Sequence, residues 1–503
     1  MEELPERSTT IPIPRPAATT TIATNMNISE LLQNDSKVKV AGIDSDGVLR
    51  GKLMSKDKFL ASLGHGFGMS SAIFGWDMHD VLYTSTATAT ATSDPNPTPA
   101  EIGYADFIAV VDLGSFRRIP WEDDIPFFLL RFNSASGVPV HADGRGMLRS
   151  INDKLQKLGY SARAGVELEF MNFQTPAEDG YGQGQRRDLA AFLDRNTPGA
   201  LRPLTQGMFG YSLTRQAANK GYFHDIFDQA SRFKCNVEGW HTESGPGVFE
   251  AALAVTDTQE MADRVTLFKY LTKSIGVDYD ITPCFMAKPT TGLPGNSGHI
   301  HISLCDAATG SNLFARGSAD PDAPWSDVEH VSDLGRHFLA GVLEALPDMM
   351  PMLAPTVNSY KRLVENYWAP VDISWGLEDR RSSIRLIAPP VSSPQATRLE
   401  CRIPGADLHP HYALTAIVAA GLRGIRKKLA IPVPPTAVRT DTPERLPDSL
   451  AAANARFRAP ASVARDLFPP DFVDFFAASR DHEIRVFRES VTDWEFRRYI
   501  ETV

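Results

Sequence analysis

Three carboxylates stand close together in the stretch Glu238-Gly-Trp-His-Thr-Glu243-Ser-Gly-Pro-Gly-Val-Phe-Glu250. A Gly-Pro-Gly turn interrupts them, and no helix tolerates that sequence. Folded as strand, turn and strand, the segment brings Glu243 and Glu250 to one point from opposite sides of the turn. Carboxylates that close repel one another unless a cation lies between them, so the chemistry on offer is divalent-metal binding. The plainer alternative is a solvated acidic loop. Trp240, His241, Val248 and Phe249 interleave with the acids, and a solvated loop has no use for them.

Three further stretches repeat the pattern. In Gly165-Val166-Glu167-Leu168-Glu169-Phe170, successive strand side chains point to opposite faces, so Glu167 and Glu169 share one face and the apolar residues the other. Alone, such a Glu-x-Glu is more often a solvated strand face than a ligand pair. The same spacing puts His299, His301 and Ser303 on one face of Gly298–Leu304, and Glu400 with Arg402 on one face of Leu399–Ile403. Four strands of this kind describe the lining of one polar funnel. Oxygen-rich ligands with an imidazole suit Mg²⁺ or Mn²⁺ better than Zn²⁺. Arginines gather beside the last strand: Arg362, then Arg380, Arg381 and Arg385, then Arg398 and Arg402. Salt bridges would occupy some of them; the rest suit bidentate binding of phosphate or of a substrate carboxylate.

The flanking patterns predict the elements that position these groups. Residues 1–27 are rich in Thr, Pro and Ala with little to bury, which predicts a disordered tail. Val38–Ile43 and Val48–Leu53 alternate on either side of Asp46-Gly47, a hairpin signature. Residues 84–100 alternate Thr and Ala and then become proline-rich, which predicts a loop insertion. Strands follow at Asp106–Leu113 and Phe127–Phe132, so residues 28–140 are predicted to form a small β-rich domain and 141–503 a larger one. Helices are predicted at Met147–Leu158, after the Asp257–Glu260 capping box with a stop at Gly276, at Leu334–Leu346 and at Tyr412–Leu429. Strands and helices alternate without a strict βαβ rhythm, so the fold class is α+β.

Composition narrows the function. A chain of 503 residues is long enough for two domains, and 43% hydrophobic with 22% charged residues is ordinary for a globular enzyme. A net charge of −10 gives no reason to seek a phosphate backbone, so a nucleic-acid partner is not expected. No run of about 18 apolar residues is present to span a membrane. The acidic start Met-Glu-Glu-Leu-Pro-Glu lacks the pattern of a secretory signal. Cys235, Cys284, Cys305 and Cys401 have no paired spacing and read as reduced thiols, which places the expectation in the cytoplasm.

Taken in order, Gly-Val-Glu167-Leu-Glu169-Phe, Glu238…Glu243…Glu250, Phe285-Met-Ala-Lys-Pro…Ser297-Gly-His-Ile-His301, Asn358-Ser-Tyr-Lys-Arg-Leu…Ala369-Pro and Arg398-Leu-Glu-Cys-Arg402 resemble glutamine synthetase. The resemblance runs from about residue 30 to near the C-terminus. It implies a β-grasp N-terminal domain, a catalytic domain with an antiparallel-sheet funnel, two or three divalent ions (Mg²⁺ or Mn²⁺), ATP, and decameric or dodecameric rings. One ion would be held by Glu169, Glu243 and Glu250, and another by Glu167, His299 and Glu400. Glu238, His301 and Ser303 would contact nucleotide, and Arg380, Arg385 and Arg398 its phosphates. Arg362, Arg402 and Gly295 would hold glutamate. The implied reaction converts glutamate to an acyl phosphate, with Arg380 stabilising the transferring phosphoryl group, before an amine attacks.

The sequence departs from the family where ammonium would bind. An Asp-Gly-Ser-Ser motif is replaced by Phe67-Gly-Met-Ser-Ser71, and a Gly-Tyr-Glu-Ala-Pro flap by Asn366-Tyr-Trp-Ala-Pro370. Gly68 and Trp368 therefore stand where two acids are expected, with Gly68 leaving space and Trp368 offering apolar area and a cation–π face. That suits an organic amine, with Glu365 as the nearby base. Gln395 also replaces a lysine near phosphate. The leading expectation is a γ-glutamyl–amine ligase; the alternatives are a true glutamine synthetase and a non-catalytic assembly or signalling protein.

Overall fold

The computed structural model describes residues 27–83, 103–182, 186–365 and 368–503. The tail (all but residue 27) and the insertion at 84–100 lie outside the described residues. The predicted hairpin is present: β1 (Lys37–Ile43) and β2 (Leu49–Ser55) pair antiparallel. Gly47 takes a φ of 81° in the turn. The Asp44 carboxylate closes that turn by accepting from the Asp46 amide at 3.0 Å and the Val48 amide at 2.9 Å. β3 (Phe67–Ser70), β4 (Asp106–Ile119) and β5 (Ile125–Asn133) complete a sheet ordered β2-β1-β5-β4-β3, in which β1 and β5 run parallel. β4 runs past Leu113 because an irregularity between Asp112 and Arg117 lets it re-pair with β5.

The second sheet holds β6 (Tyr160–Gln174), β7 (Val237–Thr242), β8 (Val248–Asp257), β9 (Ile281–Cys284), β10 (Gly298–Asp306), β11 (Trp375–Leu377), β12 (Ile384–Ile387) and β13 (Arg398–Cys401). Its order is β11-β12-β13-β10-β6-β8-β7, with β9 also pairing to β6. The expected antiparallel sheet is in fact mixed, because β11 and β12 are parallel. Residues 378–383 carry the chain back along the sheet, beginning with Glu378 at a left-handed φ of 55°. β6 alternates strictly: Ala162, Ala164, Val166, Leu168 and Phe170 are buried, while Gly165, Glu167 and Glu169 between them are partly exposed. The buried set packs on the helices Gly144–Lys157 and Thr258–Asp278, so burial of one face fixes which residues the other presents.

The helix Thr258–Asp278 begins at Asp257, whose side chain accepts from the Glu260 amide at 2.9 Å. The Glu260 carboxylate does not complete the box. It accepts from Arg117 at 2.7 Å and Arg264 at 3.0 Å instead. The predicted stop at Gly276 is wrong. The helix runs on to Asp278, and the glycine is there for close approach: a Cβ on Gly276 would lie 2.5 Å from the Ile281 carbonyl oxygen. The helix Asp333–Leu353 continues through Pro347 and Pro351, past its predicted end. It packs on Pro410–Lys427, and helices at Lys220–Arg232, Leu450–Arg458 and Pro470–Glu489 are additional to those periodicity predicts.

The small sheet is welded to the larger one and its helices. One apolar core runs through both. Arg145 is buried between Asp263 at 2.7 Å and Asp112 at 3.0 Å, and Tyr412 Oη donates to the Ala142 carbonyl at 2.7 Å. The four cysteines are free, as expected, and no helix among the described residues is long and apolar enough to cross a membrane.

Where Asp333–Leu353 crosses Pro410–Lys427, a Cβ on Gly341 would lie 2.2 Å from the Ala420 carbonyl oxygen and one on Gly424 2.1 Å from that of His337. Gly341→Val is therefore expected to cost about 1–3 kcal/mol by overpacking, read as a lowered thermal midpoint. Gly64→Ala, where a Cβ meets nothing, serves as the control and is expected to leave the midpoint in place.

Candidate active site

Strand register sets the site. His299 on β10 lies opposite Glu167 on β6, and His301 lies opposite Glu400 on β13. Glu169 on β6 lies opposite Glu250 on β8, which in turn lies opposite His241 on β7. Arg385 on β12 lies opposite Glu400. Adjacent strands thus place eight ionisable side chains in rows across one face. Two groups emerge in which one ligand atom per residue lies within 4.8 Å of the others: Glu167, His301 and Glu400, and His241, Glu243 and Glu250.

In the first group, His301 Nδ1 accepts from Arg398 Nε at 3.1 Å, so its proton sits on Nε2, 3.1 Å from Glu167 Oε1. His299 Nδ1 lies between Glu167 at 3.6 Å and Glu400 at 3.5 Å. Burial and the charge of Arg402 push His299 down to about 4, so it is neutral at pH 7. Burial alone would raise Glu167, but hydrogen bonding to His299 and His301 outweighs it and holds this carboxyl far below its ordinary range. Glu400 is buried, and the positive charges around it, Arg402 among them, outweigh burial and hold it ionised. It accepts from Arg385 Nη1 at 2.9 Å and from Arg402 Nη1.

The second group behaves in the opposite way. Burial and the facing Glu250 push Glu169 well up, despite the amide hydrogen bond it accepts from Ser297. Glu250 is also raised, by burial and by Glu167 and Glu243, against the pull of His241. His241 Nε2 lies 3.2 Å from Glu250 Oε1 and Nδ1 lies 3.7 Å from Glu243 Oε1. The Glu250 hydrogen bond lifts His241 to about 9. A protonated imidazole stands in this group as its counter-charge. Tyr211, with a left-handed φ of 54°, stacks on it at 4.3 Å between ring centroids.

The two groups differ from the sequence expectation by one member each, with His301 standing in for His299 and His241 for Glu169. Glu169 and His299 remain adjacent to them. His241 carried a readable signal, since it shares the period-two face of Glu243; Tyr211, on a loop, carried none. Arg362 is buried and donates to the carbonyls of Ile403 at 3.1 Å and Arg402 at 3.0 Å. A Cβ on Gly295 would meet the Ala287 oxygen at 2.3 Å and Arg362 Cγ at 2.8 Å, which accounts for the glycine. Asn296, fully buried, ties this loop to the Cys284 and Met286 carbonyls at 3.2 and 2.9 Å. Arg385 is clamped by Glu378 and Glu400, while Arg380 is exposed and lends its charge to Tyr211. Arg381 is held by Asp379 at 3.0 Å.

Ser303 shares the His301 face, half-buried, and Glu238 is exposed on β7. Gln395 is bound by Asn312, whose Nδ2 donates to its carbonyl at 3.0 Å. Trp368 has a left-handed φ of 56° and is 70% exposed, with its carbonyl 3.5 Å from Arg402 Nη2. Glu365 is exposed and paired with Arg445 at 2.6 Å. Its neighbours Asn366 and Tyr367 lie outside the described residues. Gly68 stands apart on β3, and it does not leave the expected space. A Cβ there would fall 2.1 Å from Asp106 Oδ2, because the diagonal neighbour on β4 reaches over the glycine.

Residues 141–499 match the family described as glutamine synthetase, catalytic domain. The chain belongs to the glutamine synthetase family. It is 37% identical over 490 residues to type-1 glutamine synthetase 2 of Dictyostelium discoideum, covering 95% of this chain and 87% of that protein. It is 29% identical over 475 residues to a glutamate–isopropylamine ligase of a Pseudomonas species, covering 93% and 96%. Its fold superposes on a solved structure described as a GmaS/ADP complex with a TM-score of 0.73 at 23% identity, covering 94% of this chain and 99% of that one. As a family member the protein is an ATP-dependent ligase of the glutamate–ammonia/amine class.

Glutamine synthetases use divalent metals, and these residues fit them. The donors are hard carboxylate oxygens with an imidazole beside each set, and Glu169 and Glu250 are forced together with no lysine or arginine among the described residues paired to either. Below their raised values Glu169 and His241 carry protons that a cation must displace. The gain in thermal midpoint given by Mn²⁺ is therefore expected to grow from pH 6 to pH 8, as affinity rises by up to about tenfold per pH unit for each proton released. Glu250→Ala is expected to remove most of that gain. A gain that is flat with pH, or intact in the variant, would separate the cation from this group.

Proposed function

We propose that the protein joins the γ-carboxylate of glutamate to an organic amine, with ATP driving the reaction through a γ-glutamyl phosphate. Trp368 carries this reading. An indole, 70% exposed, stands at the mouth where an acidic flap residue would attract ammonium, while its backbone carbonyl reaches Arg402. An apolar, cation-attracting face recognises an alkylammonium better than NH₄⁺. The likeness to a protein named glutamate–isopropylamine ligase supports it.

In the proposed reaction Arg362, Arg402 and the Gly295 backbone hold glutamate. Its γ-carboxylate oxygen bonds to the γ-phosphorus of ATP as the bond to the bridging oxygen breaks and ADP leaves. Arg380, Arg385 and Arg398 bind the phosphate oxygens, with Glu238, His301 and Ser303 toward the nucleotide. Glu167, His299, His301 and Glu400, and Glu169, His241, Glu243 and Glu250, would hold divalent ions, which would neutralise phosphate charge. The alkylammonium first loses a proton to Glu365, whose exposed pair with Arg445 is screened by solvent and readily parts. The freed amine nitrogen then bonds to the acyl carbon as the bond to the phosphate oxygen breaks, and the second N–H proton leaves with the phosphate. We further assign residues 28–140 as a β-grasp domain, 141–503 as the catalytic domain, and the assembly as a decameric or dodecameric ring.

Two observations favour the second reading, a true glutamine synthetase. The 37% identical relative carries that name, and Asp106 supplies a carboxylate over Gly68, so the region is not without an anion. ADP release by the full-length protein with glutamate and a panel of amines including ammonium separates the two. Wild type is expected to favour an alkyl or hydroxyalkyl amine. Trp368→Glu is expected to cut kcat/KM for that amine by tenfold or more, about 1–3 kcal/mol. Glutamine formed as readily as any amide, at a ratio unchanged by Trp368→Glu, would leave ammonia as the substrate. Sedimentation velocity is expected to show one large closed assembly; an active monomer would refute the ring.

A further inference from the structure

A cleft of about 930 Å³ lies apart from the glutamate rows, between the β1–β2 turn, the outer face of the helix Thr258–Asp278 and the segment that leads from β9 into the glycine loop. Its walls are largely apolar: Val48, Leu49, Ile281, Phe285, Met286 and Leu408 all contribute. Met286 is 47% exposed, more than its neighbours on the strand side. A volume of this size accommodates a small organic molecule.

The charges along the wall balance in number but not in pairing. Asp46 pairs with Arg480, and Asp280 with Arg187 at 3.0 Å. Asp407 accepts from the hydroxyls of Thr356 at 2.8 Å and Ser359 at 2.6 Å, and Glu483 accepts from the Val357 amide at 3.5 Å. Two lysines are left over. Lys269 is walled in by protein apart from the surface it keeps on the cleft, and its ammonium donates to the Leu408 carbonyl at 3.0 Å. Lys273 forms no hydrogen bond or ion pair among the described residues. The two stand one helical turn apart on one face, an arrangement that repels unless an anion lies between them. Burial pushes Lys269 down to about 7, with Asp407 opposing the shift and Lys273 adding to it.

We propose that this cleft is a second ligand site, which takes a small organic monoanion whose acid group bridges Lys269 and Lys273 and whose apolar body lies along Phe285, Met286 and Leu408. The site is independent of the amine reading. It is built on the back of the segment that holds the glycine loop: Lys288 and Asn358, joined by hydrogen bonds of 2.8 and 3.0 Å, separate it from Gly295 and Arg362.

The test is calorimetric titration of the full-length, metal-free protein with 4-phenylbutyrate, its neutral amide and acetate. The acid is expected to bind at least tenfold more tightly than the amide or acetate, since each lacks one of the two recognised features. Lys273→Gln, an exposed position that the fold does not depend on, is expected to weaken binding of the acid at least tenfold and to leave the thermal midpoint without ligand unchanged. Lys269→Met is expected to do the same to binding. Saturating glutamate with ADP is expected to leave the acid bound. Equal affinity for acid and amide, an affinity unaltered in Lys273→Gln, or competition by glutamate and ADP would each overturn the proposal.

Discussion

Glu169 and Glu250 face one another across β6 and β8 with little water to separate their charges. Much else in the site follows from that opposition. Neither acid is offset by a lysine or arginine of its own, so the pair holds protons, borrows charge from His241, or takes up a cation from solution. Across the same sheet Glu400 has the reverse surroundings, with Arg385 and Arg402 bound to its two oxygens. One sheet thus carries a carboxylate pair starved of positive charge and a carboxylate saturated with it, a few strands apart. Phosphate and cation differ in what they seek, and the face offers a place for each.

The scaffold makes the opposition tolerable. β6 turns its aliphatic residues into two helices, and the burial of that face leaves no alternative register in which the glutamates escape each other. The glycine loop is fixed by Asn296 and by the contact of Gly295 with Arg362, so the arginine is presented by packing. Around this rigid frame Trp368, Tyr211 and Arg380 are exposed. Fixed charge inside and adjustable surface outside is the arrangement expected where one reaction is kept while its acceptor varies.

Much of this was legible in sequence because period-two alternation reports a strand and its faces at once. The rows through Glu167, Glu169, His299, His301 and Glu400 follow from that rule, and strand register then brought them together. The errors have physical sources. Gly276 reads as a helix stop by local propensity, but close approach of the Ile281 carbonyl requires a glycine inside the helix. Pro347 and Pro351 read as an end, yet the packed helix carries both. Gly68 reads as open space, whereas a side chain two residues away on the partner strand fills it. For the two glycines, close contacts that local propensity does not count decided the outcome. Tyr211 could not have been found, since a loop residue has no period to betray its direction.

The length of β6 has one more consequence. It supplies Glu167 to one group and Glu169 to the edge of the other, so a single dipeptide step of about 6.5 Å links the two. A covalent ruler of this kind does not stretch. The two side chains start from anchor points that backbone geometry sets, and motion of a flap does not reset that spacing. The strand therefore fixes where the two carboxylates are anchored, and only rotation within each side chain adjusts the distance between the two charge centres.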